Sequence, residues 1–273
     1  MKKKRLILSF DLEFWYNSEF IKNYIPKGIE SFDDKTIEST IPLLKILKRF
    51  NTKATFFVLG KVAEKYPDLI RQIANDGHEI ASHGYSHKTL NDLTPIEFEE
   101  EIKKSVRLLE KINGVKPIGF RAPNFSLNNK TKWALKILER NGFKYDSSIF
   151  PFKTPLYGDS KAPLEIYKIS KNITEFPIAV YQKAALRIPI AGGFYFRLIP
   201  LSIYQTILVS IQKKRDAVIY LHPHELYNFI PNLKIPWWKK KLKYWGVNNS
   251  LVKFEELLKK FELISINNYF LKH

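Results

Sequence analysis

Eight short runs rich in Ile, Phe and Val alternate with longer stretches of helical period, and few folds other than βα units on a mainly parallel sheet accommodate that order. The runs fall at residues 6–12, 54–59, 79–82, 118–121, 143–147, 174–177, 217–221 and 262–266. Between them, residues 36–50 place Ile37, Ile41, Leu44, Ile46 and Leu47 on one helical stripe ahead of a basic end that suits a helix C-terminus. Thr94, Pro95 and Glu97 supply a cap, a first-turn proline and an acidic third residue, so a helix is predicted from there to about residue 112, stopped by Asn113-Gly114. Residues 130–140 and 201–214 read as two further helices. The less periodic stretches 153–175, with Pro155, Gly158 and Pro163, and 180–200 are expected to be long excursions over one end of the sheet.

A chain of 273 residues buries one sizeable core, and single α/β barrels commonly occupy this length, so one domain over residues 1–273 is expected. Residues 228–249, with Trp237, Trp238 and Trp245 among lysines, are the least barrel-like part and are expected to form a surface insert. The net charge of +18 comes from scattered Lys and Arg with short runs at 2–5, 213–215 and 239–241. It is compatible with plain solvated surface or with an anionic membrane, and less with nucleic acid, because no nucleic-acid-binding motif surrounds the runs. The absence of Cys removes disulfides and thiolate chemistry, so any metal must be held by His and carboxylate. Basic residues before Leu6-Ile7-Leu8 imitate a secretory signal, but Asp11 and Glu13 interrupt the apolar run and no small-residue cleavage site follows. A cytoplasmic location is therefore expected.

The reactive side chains gather where the predicted strands end. Asp11 and Glu13 close the first strand, His83 and His87 the third, Arg121 the fourth, Asp146 the fifth, and His222 and His224 follow the run at 217–221. Parallel α/β barrels collect catalytic groups at these ends. His83-Gly84-Tyr85-Ser86-His87 spaces two imidazoles so that both can reach one ion; alone, such a pair is as compatible with surface or core histidines. Asp11 and Glu13, two apart on extended chain, face the same way. Arg121 can clamp a carboxylate and keep it ionised. A histidine after residues 217–221 titrates near neutrality and suits protonation of a leaving amine. Two histidines flanking Pro223 cannot both point inward from extended chain, so His222 is preferred and His224 is placed behind it. His78, at the start of its strand, is expected at the opposite end in a structural role.

In order along the chain, Ser9-Phe10-Asp11-Leu12-Glu13, His83 to His87, Arg121-Ala122-Pro123-Asn124-Phe125, Asp146-Ser147-Ser148 and Leu221-His222 resemble the five motifs of the polysaccharide deacetylase (NodB-homology) family. The resemblance implies an irregular (β/α) barrel of about seven or eight strands and a divalent ion, zinc first, with cobalt, nickel or manganese as alternatives. It implies Asp11 as general base, Glu13, His83 and His87 as ligands, Arg121 as the clamp on Asp11 and His222 as general acid. Asp146 would support His222, and Tyr85, Pro123, Asn124 and Phe125 would contact substrate. One departure is Leu12, where the common motif has a second aspartate; a subgroup with acid, apolar, acid resembles this chain, which moves the ligand to Glu13. Asn124 stands where many members have an aromatic. Around the mouth, Tyr85, Trp15, Phe125 and Trp237 can stack on sugar, although core packing is the expected role of most.

The leading expectation is a hydrolase that removes N-acetyl groups from a polysaccharide, oligosaccharide or lipid-linked glycan, possessing a basic surface able to touch an anionic membrane. A metal-free amidase acting on a small cyclic or ureido amide is the second reading. An inactive barrel kept as a basic membrane or anion binder is the third.

Overall fold

Every residue of β1 (Leu6–Leu12) is buried, a pattern that requires covering layers on both faces of a central parallel strand. In the computed structural model, which describes residues 4–29, 34–154 and 157–270, β1 is joined by β2 (Thr55–Val58), β3 (Glu79–Ser82), β4 (Gly119–Phe120), β5 (Tyr145–Asp146), β6 (Tyr167–Lys168), β7 (Thr174–Glu175), β8 (Val180–Lys183), β9 (Leu186–Pro189), β10 (Ala217–Leu221) and β11 (Leu263–Ile264). The helices are α1 (Thr36–Arg49), α2 (Gly60–Lys65), α3 (Pro67–Asn75), α4 (Pro95–Asn113), α5 (Trp133–Arg140), α6 (Gly193–Leu198), α7 (Leu201–Gln212), α8 (Pro223–Leu226), α9 (Trp237–Tyr244), α10 (Ser250–Lys260) and α11 (Ile266–Phe270). Lys2, Lys3 and Pro155, invoked above, lie outside the described residues.

The main sheet runs β10-β1-β2-β3-β4-β5-β7-β6, with β11 also on β1. Leu6 pairs with both Ala217 and Leu263, so β11 takes the lower half of the β1 edge whose upper half, Ser9 to Leu12, pairs with β2. All these pairings are parallel except β6 on β7. The curl is completed by a single parallel bridge from Ile178 to Val218, with Ala179 N–H donating to the Val218 carbonyl at 2.8 Å. The result is an irregular barrel.

Each of the eight predicted strands is present, and several are shorter as paired ladder than as apolar run. The fourth stops at Phe120 because the Arg121 carbonyl accepts from the His83 ring instead of a neighbouring strand. Helix α4 starts at a reciprocal cap, in which Glu97 N–H donates to Thr94 Oγ1 and Thr94 N–H donates to Glu97 Oε2 at 2.8 Å, and it ends at Gly114 with φ 72°. The two expected excursions carry structure of their own. Residues 153–175 include β6, and residues 180–200 form the antiparallel pair β8–β9 followed by α6. Within residues 228–249, α9 buries none of its residues, while Ile235 packs beside Trp15, Ile21 and Ile29.

Candidate active site

Strand pleat decides the first pair: Leu12 turns into the core, and Asp11 and Glu13 share the other face, 3% and 7% exposed. His83 follows β3 directly, and left-handed backbone at Gly84 (φ 73°) and His87 (φ 68°) folds the chain back so that the two imidazole centroids lie 5.5 Å apart. Glu13 Oε2 contacts His87 Nε2 and lies 3.5 Å from His83 Nε2. One ligand atom from each of Glu13, His83 and His87 falls within 4.8 Å of the others. The Arg121 carbonyl can only accept, so His83 Nδ1 donates to it at 2.8 Å and leaves the Nε2 lone pair facing Glu13. Burial by itself would raise the Glu13 carboxyl, yet His87, His83 and His222 around it hold it well below the usual carboxylate range. One ionised carboxylate and two imidazoles form a three-ligand set that fits zinc.

Arg121 is fully buried, and its guanidinium is spoken for on every side. It donates to Asp11 Oδ1 at 2.5 Å, to Ser9 Oγ at 3.0 Å, and to the Ser147 carbonyl and hydroxyl at 3.0 and 2.8 Å. The Phe57 ring lies beneath it, 4.0 Å from Cζ. A fixed, desolvated cation beside Asp11 restrains that carboxylate to one orientation.

His222 follows β10 and caps α8. Its Nε2 stands 3.4 Å from Glu13 Oε1, and its Nδ1 pairs with Glu225 Oε2 at 2.7 Å. Burial lowers His222, but the Glu225 charge and hydrogen bond, with Glu13 and Asp11 adding to them, raise it to about 9. Glu225 is fixed in turn by the Gly193 N–H at 3.1 Å and by Arg197, 3.5 Å away. Asp146 was expected to support His222, and the structure gives that place to Glu225. The Asp146 carboxylate accepts from the Ser148 hydroxyl at 2.7 Å and the Ser148 N–H at 3.0 Å. Its other neighbour is Glu175, which burial and the Asp146 charge push well above the carboxylate range, so a proton stays on that pair.

Because Pro223 opens a one-turn helix, the chain does not continue extended past His222, and both histidines reach the same cavity. Their rings stack at 5.0 Å, which corrects the expectation that only one could point inward. Burial and His222 lower His224 to about 3, leaving it neutral, and its buried Nδ1 has no hydrogen-bond partner.

The cavity they line has a volume of about 300 Å³ and is walled by Asp11, Glu13, His83, His222, Tyr220 and Lys243, among others. Asn124 (φ 53°) and Phe125 (φ 48°) line it from consecutive left-handed positions, a strained turn for a bulky residue such as Phe125. They also border an adjoining cleft of about 1120 Å³. Tyr85 and Pro123 do not line the cavity. Tyr85 leaves the site because Gly60 makes room for its ring against α2, where its hydroxyl donates to Glu64 at 2.6 Å and Lys104 sits 3.6 Å over the ring. Sequence reasoning missed Glu225, Arg197 and Lys243. Glu225 had a signal, an acid three residues beyond a histidine with proline between, which is the spacing of a capping box. Arg197 and Lys243 had none.

A family model described as polysaccharide deacetylase matches residues 29–145, and one described as a domain of unknown function (DUF3473) matches residues 147–271. The first of these segments is thus similar to the polysaccharide deacetylase family. That segment contains His83, His87 and Arg121, while Asp11, Glu13 and His222 come from outside it. A peptidoglycan-N-acetylglucosamine deacetylase of Bacillus cereus is 42% identical over 106 residues, 38% of this chain and 38% of that protein. A peptidoglycan deacetylase of Helicobacter pylori is 29% identical over 188 residues, 67% of this chain. The chain thus spans 38% and 60% of the length of these two relatives. The solved structure of a candidate polysaccharide deacetylase from Mycobacterium smegmatis superposes with a TM-score of 0.63 at 21% identity, covering 98% of this chain and 89% of that one. The barrel is therefore of the NodB type found in polysaccharide deacetylases.

Proposed function

We propose that this chain is a metal-dependent N-deacetylase that releases acetate from an N-acetylhexosamine of a glycan, with peptidoglycan or its precursors the substrates that the Bacillus cereus and Helicobacter pylori relatives suggest. The observation that carries the reading is the convergence of Glu13, His83 and His87 on one point beside the Asp11–Arg121 pair, with His222 across the same cavity.

A bound divalent ion, zinc first and cobalt, nickel or manganese after it, supplies the Lewis acidity that a resonance-stabilised amide demands, and Glu13, His83 and His87 would hold it. Asp11 takes the proton of the attacking water, and Arg121 keeps its carboxylate aimed. The acetyl C–N bond breaks only when the departing nitrogen gains a proton, and His222 delivers it from Nε2. Glu225 holds Nδ1, so the imidazole stays in the orientation and charge state of a general acid. His224, neutral and stacked on His222, forms part of the wall of the same cavity. The adjoining cleft offers room for neighbouring residues of the chain.

The test is acetate release from N-acetylchitooligosaccharides and peptidoglycan fragments by the zinc-loaded protein, with metal content measured in parallel. Asp11→Asn and His222→Ala are expected to lose on the order of a hundredfold or more in turnover while keeping metal. Glu13→Ala is expected to lose both metal and turnover. Unchanged turnover in Asp11→Asn and His222→Ala, or wild-type metal content in Glu13→Ala, would remove the proposal.

A further inference from the structure

One rim of the cavity mouth is formed by α9 and Phe20: Phe20, Leu242, Lys243 and Tyr244 line the cavity, whereas the three tryptophans of this segment do not. Trp237 is 77% exposed, Trp238 51% and Trp245 52%, with Leu242 and Phe20 at 41% and 37%. Trp238 and Leu242, four apart, stand on one stripe of α9, and Trp245 follows directly after its last turn. Lys239 Nζ lies 5.5 Å from the Trp238 ring and 5.7 Å from the Phe20 ring, which ties Phe20 to the same patch. Soluble monomers rarely leave such a cluster in water without a use for it.

Charge narrows the occupant. No Asp or Glu occurs from residue 226 to residue 254, while six lysines do; Lys243 and Lys253 turn inward onto Ser18 and onto the Phe196 and Ile199 carbonyls, which leaves Lys234, Lys239, Lys240 and Lys241. A neutral glycan stacked on the indoles would leave these outward lysines unanswered, and the helix reaches the cavity through Lys243 and Tyr244 at its end, with Leu242 at the border between the two sides, not through the indoles. Anionic lipid headgroups answer both features, because indoles settle at the water–hydrocarbon boundary and lysines are drawn to the surface potential beside it. Among the described residues no helix is long and apolar enough to cross a membrane, so the contact is one of docking.

We propose that α9 together with Phe20 docks on an anionic lipid bilayer and sets the cavity mouth at the membrane surface. The proposal goes beyond the deacetylase reading and is read without turnover. The full chain is floated with vesicles of phosphatidylcholine alone and of phosphatidylcholine containing phosphatidylglycerol, at about 0.15 M salt. Flotation with the anionic vesicles only is expected. Trp237→Ala/Trp238→Ala/Trp245→Ala, which keeps every lysine, is expected to partition about tenfold less while melting at the wild-type temperature. Equal flotation of the triple variant would assign the attraction to diffuse net charge and overturn the proposal. So would flotation with neither vesicle, or with both alike, or a tryptophan fluorescence change with soluble chitopentaose in the absence of vesicle binding.

Discussion

Arg121 acts twice through one residue: its guanidinium orients Asp11 and its carbonyl fixes the His83 ring. Glu225 is the corresponding fixed point for His222. Burial opposes the positive charge on that imidazole, and Glu225 is the largest influence in its favour. Glu225→Gln keeps an acceptor for Nδ1 but removes the charge, so the His222 pKa falls. The alkaline limb of the kcat/KM profile is then expected to move to lower pH, with turnover reduced about 10- to 100-fold. An alkaline limb that stays put would show that Glu225 does not tune His222. His78, at the other end of β3, titrates in the opposite sense. Burial, with Lys53 adding, lowers it to about 4, and its Nδ1 accepts the Ala54 N–H at 3.2 Å. A neutral native imidazole whose unfolded value is near 6.5 contributes stability that is fully present above pH 6.5 and is lost as pH falls toward about 4. The loss is on the order of 3 kcal/mol. Thermal melts across that window should show His78→Gln, whose amide oxygen can take the same N–H, losing less stability on acidification than the wild type. An identical pH slope in both would refute this account.

At the level of elements, alternation of apolar runs and helical stretches made the parallel strands legible, and the strand-end rule brought Asp11, Glu13, His83 and His222 to one cavity, with His87 and Arg121 in contact with Glu13 and Asp11 behind its wall. What failed was partner choice. Asp146 and His222 both end strands, but nothing in their spacing reveals that the Asp146 carboxylate is already taken by Ser148 and Glu175, or that a helical turn returns Glu225 to His222. Tyr85 misled for a related reason, since room for its ring depends on Gly60, a residue remote in sequence. Packing of this kind also makes Gly119 irreplaceable. A Cβ there would stand 1.9 Å from Tyr145 Cζ, and the ring cannot swing away without losing the hydrogen bond that Tyr145 donates to Glu79 at 2.9 Å. Gly119→Ala is expected to lose about 1–3 kcal/mol or more. Gly114→Ala has open space around it and carries only the left-handed backbone penalty, about 1 kcal/mol. Melting temperatures in the reverse order would refute the packing argument.

Across the whole molecule, the two matched segments meet at β5, yet the barrel does not divide there. Five residues of β1 pair with β10 and two with β11, and both partners come from the second segment. The main hydrophobic core likewise runs from Leu6 through Phe57 to Phe176, Val218 and Phe254 without a break. We propose that residues 1–273 fold as one unit. A fragment of residues 1–146 would present one whole edge of β1 and half of the other to water, a row of unpaired backbone groups beside exposed Leu and Ile. It would also leave Glu13 without His222. The fragment is therefore expected to show no cooperative thermal transition and to aggregate, whereas the full chain melts in a single step. A cooperative melt of the isolated fragment, with zinc bound at near one equivalent, would mean that the first segment is a domain in its own right and that the second is added to a site already complete in its metal ligands.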